Sequence, residues 1–473
     1  MLLVGSAIIW LLPLDGQVLI MTDQGTSWSW PQIQVSPASP QAGDTVTVWV
    51  TDRQPWSHVL LTVDGTSARL IDSTSSQAQT WTWVWAFEAT EDVDYTLTFY
   101  HDCQAGCQQL AQTTVGLVTE PRDLNRQPTK LGLVFPNPQR DWHQRAGWGI
   151  ELTYATLAEE PTWGIARLVR QVHLNRKNGV RMLVRVDYAP GQSLPPVGNE
   201  IALSQYLTYL QRLSRDDRLT GVYGFIIGTD YNETESNSFS PNQPTTPEWY
   251  ARVFNGYGEP VVSADNVVQV VRAEHQQVRL LVCPIRAWNI EENGKRRHSI
   301  DVPWLNYLNT MVAYLNEATE MRQASDMPFA GPDGFAIQAP GNPLAPEMND
   351  RAPFLEPRLD LARSTWQGAQ AGFRVYQDWL NIINQYPTTR NLPVYISSTN
   401  TFVPYGNTFP TENYPAGWLT SALDEVNQTP QILALIWFMD DLPDDEQWQS
   451  FSLSQPSGQL IEAAEEFDQL LRR

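Results

Sequence analysis

The sequence predicts a multidomain protein, an N-terminal all-β sandwich followed by an α/β barrel of the (β/α)8 type. Three observations predict it. At 473 residues the chain is too long for one ordinary core. Between about residues 31 and 118, short apolar-polar alternating runs recur with turn residues between them. After Lys130 the period changes, and apolar runs alternate with amphipathic segments.

The elements follow in order. Residues 1–30 open with "MLLVGSAIIWLLPLDGQVLIM", whose cleanest apolar run ends at Pro13 and Leu14. That is short of the roughly 20 residues that span a bilayer. No Lys or Arg precedes Arg53, so the basic start of a signal peptide is missing. The stretch is read as an apolar export or anchor remnant and spacer, with a buried first strand as the alternative. An extracellular or cell-surface location is expected, with membrane anchoring at the N-terminus as one form of it.

Residues 31–118 carry "DTVTVWVTD", "HVLLTVDG", "TWTWVWAFEA" and "DYTLTFYHD". The opening "SPASPQAGDTVTV" resembles the start of an immunoglobulin-like domain, without the Cys–Trp–Cys arrangement of antibody domains. Cys103 and Cys107 flank a Gln-Ala-Gly turn, where a local disulfide is sterically feasible and would place the chain in an oxidising compartment. Half a metal site is the other use of such spacing, but no second Cys or His pair accompanies it. Cys283, in "LLVCPI", reads as a buried apolar residue. Residues 119–130 read as a linker.

Residues 131–473 contain eight apolar runs: "LGLVF", "GIELTYA", "VRMLVRVDY", "GVYGFIIG", "VRLLVCPI", "DGFAIQAP", "LPVYIS" and "ILALIWFMD". Amphipathic segments at 161–176, 200–215, 263–275, 301–320, 360–385 and 415–427 lie between them, and "SGQLIEAAEEFDQLLRR" closes the chain. Eight buried strands alternating with helices predict a TIM barrel. Motifs for dinucleotide, P-loop, nucleophile-elbow and zincin chemistry are missing from the sequence.

Composition narrows the partners. A formal charge of −21 disfavours nucleic acid and anionic lipid. Nineteen Trp and seventeen Tyr suit a protein that faces sugar rings, although most will fill a large core. No cofactor and no metal is expected. "DDLPDDE" at 440–446 offers oxygen ligands without calcium-loop spacing.

Chemistry in such a barrel sits at the C-terminal ends of the strands. Strand four ends "GTDYNETESN", strand seven "VYISSTN" and strand eight "LIWFMDD". Here residues 130–455 resemble the clan A retaining glycoside hydrolases, in particular bacterial cell-surface members with an immunoglobulin-like domain before the barrel. The resemblance implies a Gly-Asn-Glu motif after strand four, whose Glu is the acid/base. It also implies a Thr-Glu-Thr-Asn motif after strand seven, whose Glu is the nucleophile, and a Trp ending strand eight. Gly228, Thr399, Asn400 and Trp437 match, whereas Thr229, Asp230 and Ser398 replace Asn, Glu and Glu.

The expected catalytic positions are therefore Asp230, Glu233 and Ser398, and the expected substrate-binding residues are Tyr231, Trp288, Asn400 and Trp437. Trp142 and Trp148 are further aromatic candidates. Asp440, Asp441 and Glu291 are the candidates for a relocated base. The polar stretch 232–247 reads as a lid or a mobile insertion, and "WNIEENGKRRH" as a solvated basic loop.

A serine hydroxyl is a poor nucleophile without an adjacent base. The first functional reading is accordingly a surface glycoside hydrolase-like protein impaired in catalysis, which binds a carbohydrate or cell-surface glycan or acts in surface assembly. The second is an active glycosidase using Asp230 or Glu233 with a relocated second carboxylate. The third is a structural cell-envelope or filament subunit that self-assembles.

Overall fold

The computed structural model describes residues 18–20, 31–36, 45–64, 66–75, 80–88, 95–103, 107–115, 126–219, 221–258, 265–275, 278–287, 304–325, 330–339, 372–402, 408–442 and 446–473. The chain divides into two units, Met1–Glu120 and Pro121–Arg473.

In the first unit, period-two alternation makes strands with one buried face. The strands are β1 (Val18–Ile20), β2 (Gln32–Ser36), β3 (Thr45–Asp52), β4 (Leu60–Val63), β5 (Thr66–Ser67), β6 (Arg69–Ser75), β7 (Trp81–Glu88), β8 (Tyr95–His101) and β9 (Gln108–Val115). They form two antiparallel sheets, β1-β2-β3-β7-β6 and β5-β4-β8-β9. Val46, Val48 and Val50 of β3 point inward with Leu61, Leu97 and Phe99 of the other sheet. Trp83 and Trp85 of β7 meet Phe99 at ring distances of 5.8 and 5.5 Å, which ties the two sheets into one core. The 1–30 stretch is more than a spacer: Ile20 pairs with Ile33, so part of it is a sheet strand. Cys103 and Cys107 are joined by a disulfide across their turn.

In the second unit the eight apolar runs become β10 (Gln127–Val134), β11 (Arg145–Tyr154), β12 (Arg181–Asp187), β13 (Gly224–Ile227), β14 (Arg279–Val282), β15 (Gly334–Gln338), β16 (Val394–Thr399) and β17 (Ile432–Trp437). All neighbours are parallel, and β10 pairs with β17 to close the barrel. β10 starts at Gln127, inside the stretch expected to be linker. The helices are α1 (Ile165–Lys177), α2 (Glu200–Arg215), α3 (Pro247–Asn255), α4 (Val267–Glu274), α5 (Trp304–Ala324), α6 (Val375–Ile383), α7 (Pro410–Asn413), α8 (Trp418–Asn427) and α9 (Leu460–Arg472).

The connection from β10 to β11 is irregular, and α9 lies against it. Phe467 of α9 meets Trp142 edge-on, and Asp468 takes Arg140 at 2.8 Å. The barrel interior is closed at the N-terminal ends of the strands by Trp148, Tyr223 and Tyr395, with the Arg181 guanidinium 3.8 Å over the Trp148 ring. Gly132 makes room for this plug, since a Cβ there would come within 2.7 Å of the Trp148 Cβ. Trp142 and Trp148 are thus buried packing residues and not sugar platforms.

Candidate functional site

The C-terminal strand ends gather a polar cluster. After β13 the chain turns through Gly228 at φ +81°, a conformation in which a Cβ would also press within 2.8 Å of Ser193 Oγ. That turn delivers Asp230, itself in the left-handed region at φ 42°, a strained conformation for a non-glycine residue. The Asp230 amide donates to Pro284 O in the loop after β14. Both of its carboxylate oxygens accept from Gln338 Nε2 on β15, at 2.9 and 3.1 Å.

Arg286 links the two carboxylates of this loop. Its Nη1 is 3.9 Å from Asp230, and its Nε is 3.5 Å from Glu233. Arg286 is itself positioned by Asn232, which accepts from its backbone N–H at 2.6 Å and donates to its carbonyl at 3.0 Å. Burial opposes the Arg286 charge, but Asp230, Glu233 and Glu235 outweigh it and hold the group firmly protonated.

On β12, Arg185 and Asp187 share one face of the strand, and their side chains approach to 3.3 Å. Asp187 neighbours Tyr154 in the β11–β12 register. Burial pushes the Asp187 carboxyl up to about 6, the Arg185 charge opposes this, and the nearby Asp230 charge adds to it.

On β16, Ser398 is half-buried and in register with Gln338, the residue that holds Asp230. The neighbouring hydroxyls are committed to backbone: Ser397 donates to Ile337 O and Thr399 to Ala339 O. Asn400 accepts from the Phe402 amide at 2.7 Å, so it shapes the turn. Asp230, Glu233 and Ser398 therefore lie on elements that Gln338 and Arg286 tie together.

The expected aromatic platforms are placed differently. Tyr231 is fully buried and stacks on Tyr250 at 4.6 Å. Trp437 is also fully buried: it pairs in register with Leu133, meets Tyr414 and Trp418 edge-on, and donates to Phe451 O. The next residue, Phe438, follows directly after β17. Phe438 is half-buried against Trp448 and Phe451. Phe239, 59% exposed and edge-on to Tyr188, is an aromatic that the sequence reading passed over. Trp288, Glu291 and the basic stretch 288–298 lie outside the described residues.

Asp440 is no base. Arg140 Nη2 and Ser454 Oγ donate to one of its oxygens at 2.6 and 2.9 Å, and the Asn137 amide and Arg140 Nε to the other at 2.7 and 3.2 Å. Burial raises the neighbouring Asp441 carboxyl, and the Asp440 charge adds to that. Among the described residues no cluster of three or more His, Cys, Asp or Glu is placed to hold a metal ion.

No family model matches the chain, and no curated protein does. Solved structures resemble it at low identity. A glucosidase from Croceicoccus marinus is 12% identical with a TM-score of 0.42, over 70% of this chain and 63% of that one, less than two thirds of its length. An endocellulase from Pyrococcus horikoshii, solved with cellotetraose, is 10% identical with a TM-score of 0.37, over 80% of this chain and 96% of that one. An endoglucanase from Thermotoga maritima is 11% identical with a TM-score of 0.36, over 71% and 96%. The barrel itself rests on its own strand register.

Proposed function

We propose that this chain is an extracellular or cell-surface glycoside hydrolase-like protein whose barrel mouth binds carbohydrate without ordinary retaining hydrolysis. Its antiparallel N-terminal unit is read as an immunoglobulin-like sandwich that presents or anchors the barrel. The observation that carries the reading is the pairing of Ser398 with Gln338, which in turn holds Asp230. Retaining cleavage needs two carboxyls about 5–5.5 Å apart, one of them a nucleophile. At the strand-seven position a neutral hydroxyl offers no anion to stabilise or trap an oxocarbenium-like transition state. Sugar binding through hydroxyl contacts and aromatic faces needs no such anion.

A second reading, an active glycosidase with relocated carboxylates, is favoured by one observation: Asp187 and Asp230 interact through their charges, and Asp187 is held up near 6. A carboxyl raised by burial with a second carboxylate nearby is a pattern that acid/base pairs use.

Wild type, Ser398→Glu and the Ser398→Glu/Asp230→Glu double mutant, assayed on matched aryl-glycosides beside a glycan array, separate these readings. The expected outcome is array binding by wild type with no turnover, and turnover appearing only in the double mutant. Robust wild-type turnover that disappears in Asp187→Asn or Asp230→Asn overturns the impaired reading in favour of the second.

A further inference from the structure

We infer that Arg185 and Asp187 together grip a hydroxyl group of the ligand that enters the barrel mouth, Arg185 donating to its oxygen and Asp187 accepting its proton. This rests on the reading that the mouth takes carbohydrate, and it names the residues and the functional group by which it does so.

Two arginine–aspartate pairs of this barrel, each with a buried aspartate, make the contrast. In the Arg140–Asp440 pair both Asp440 oxygens receive two donors each, and all three Arg140 nitrogens donate, Nη1 to Asp468. A pair built only for stability looks like that, because an unsatisfied buried polar atom is costly. The Arg185–Asp187 pair has a single contact at 3.3 Å. Asp187 Oδ1 and Arg185 Nε are both buried and have no hydrogen-bond partner among the described residues. One acceptor and one donor are thus left over, two residues apart on the same strand face, at the end of the barrel where chemistry sits. The Asp187 side chain is 6% exposed and that of Arg185 is 29% exposed, so Arg185 is the more accessible member of the pair.

The leftover pair selects the ligand chemistry. An anion could accept from Arg185 Nε but would bring a third negative charge beside Asp187 and Asp230. An ammonium group could donate to Asp187 but would leave Arg185 Nε without an acceptor and would face its charge. A hydroxyl accepts and donates at once, and so satisfies both atoms. Arg286 and the Gln338 amide hold the nearby Asp230 carboxylate, and Glu233 holds Arg286.

The test uses the full chain and calorimetry. Probes are the methyl glycosides of glucose, mannose, galactose, xylose and glucuronic acid, followed by the monodeoxy derivatives of whichever binds. One deoxy position is expected to weaken wild-type binding about tenfold or more, the loss typical of a missing hydrogen bond to a charged group. Asp187→Asn and Arg185→Lys, checked by thermal melts, are expected to lose a similar factor for the parent sugar. On those variants that one deoxy derivative should bind nearly as well as the parent. If the deoxy penalty is unchanged on both variants, or no deoxy position matters on wild type, the inference fails while sugar binding stands. If wild type binds none of the probes, the carbohydrate reading fails and takes this inference with it.

Discussion

Glu151 sits on β11 with its side chain 1% exposed, paired to Arg167 of α1 at 2.8 Å. Burial raises its carboxyl to about 7, and the Arg167 charge only partly opposes this. In the unfolded chain the same group titrates near its ordinary value of 4.5. The folded state therefore holds a proton that the unfolded state has lost across this window. The associated stability is complete below about pH 4.5 and disappears as pH rises through about 7. Its size is on the order of 3 kcal/mol. Glu151→Gln is expected to flatten the stability profile between pH 4.5 and 7 relative to wild type, measured by urea unfolding across that range; an unchanged slope would refute the assignment. At this same scale the sequence was partly legible. Asp230 and Ser398 stood out as candidates because each follows an apolar run that ends in polar residues. Asp187, Arg286 and Gln338 did not, since they lie on β12, in the loop after β14 and on β15, which meet only when the barrel closes. Trp437 was misread because the sequence does not state which way a strand residue faces, and its ring packs against Tyr414 and Trp418.

The loop after β13 shows what local polarity conceals at the scale of an element. Its run of Asn, Ser and Thr read as a lid or mobile insertion, yet Asn237 at its centre is fully buried. The Asn237 amide donates to the carbonyls of Tyr231 and Glu233, and its oxygen accepts from the amide and hydroxyl of Thr245 at 2.9 and 3.0 Å. Ser193 N and Phe239 N add further ties, to Ser236 O and Gln192 Oε1. The loop is a fixed wall that sets Asp230 and Glu233. It runs directly into α3, whose start was written in the sequence as Thr246-Pro247-Glu248: Thr246 Oγ1 accepts from Trp249 N, and Gly256 ends the helix at φ 85°. The nine residues of α3 were too few for their period to stand out beside a long polar run. Asn237→Ala leaves buried amide and carbonyl groups without partners, so it is expected to cost about 2–4 kcal/mol. It should also increase protease cleavage between residues 231 and 246. A variant as stable and as resistant as wild type would return the loop to the mobile class.

Over the whole molecule, the eight barrel strands and the two antiparallel sheets were legible because burial on two faces and burial on one face leave different periods in sequence. The irregular β10–β11 connection was not, because its cover comes from α9 at the far end of the chain, and nothing local announces such a contact. The two units also have separate cores: Val46, Val48, Trp85 and Phe99 belong to one, and Leu133, Trp148, Ile226 and Ile436 to the other. A cooperative transition follows a shared core, so two cores lead to two transitions. Only the smaller unit contains the Cys103–Cys107 bridge, and Cys283 in the barrel is a free thiol. Closing so short a loop restricts the unfolded chain modestly, by about 2 kcal/mol in the chain-entropy account. Scanning calorimetry is therefore expected to resolve two endotherms, with dithiothreitol lowering the midpoint of the smaller one alone. One endotherm that moves as a whole on reduction would mean that the units unfold together and that the bridge supports both.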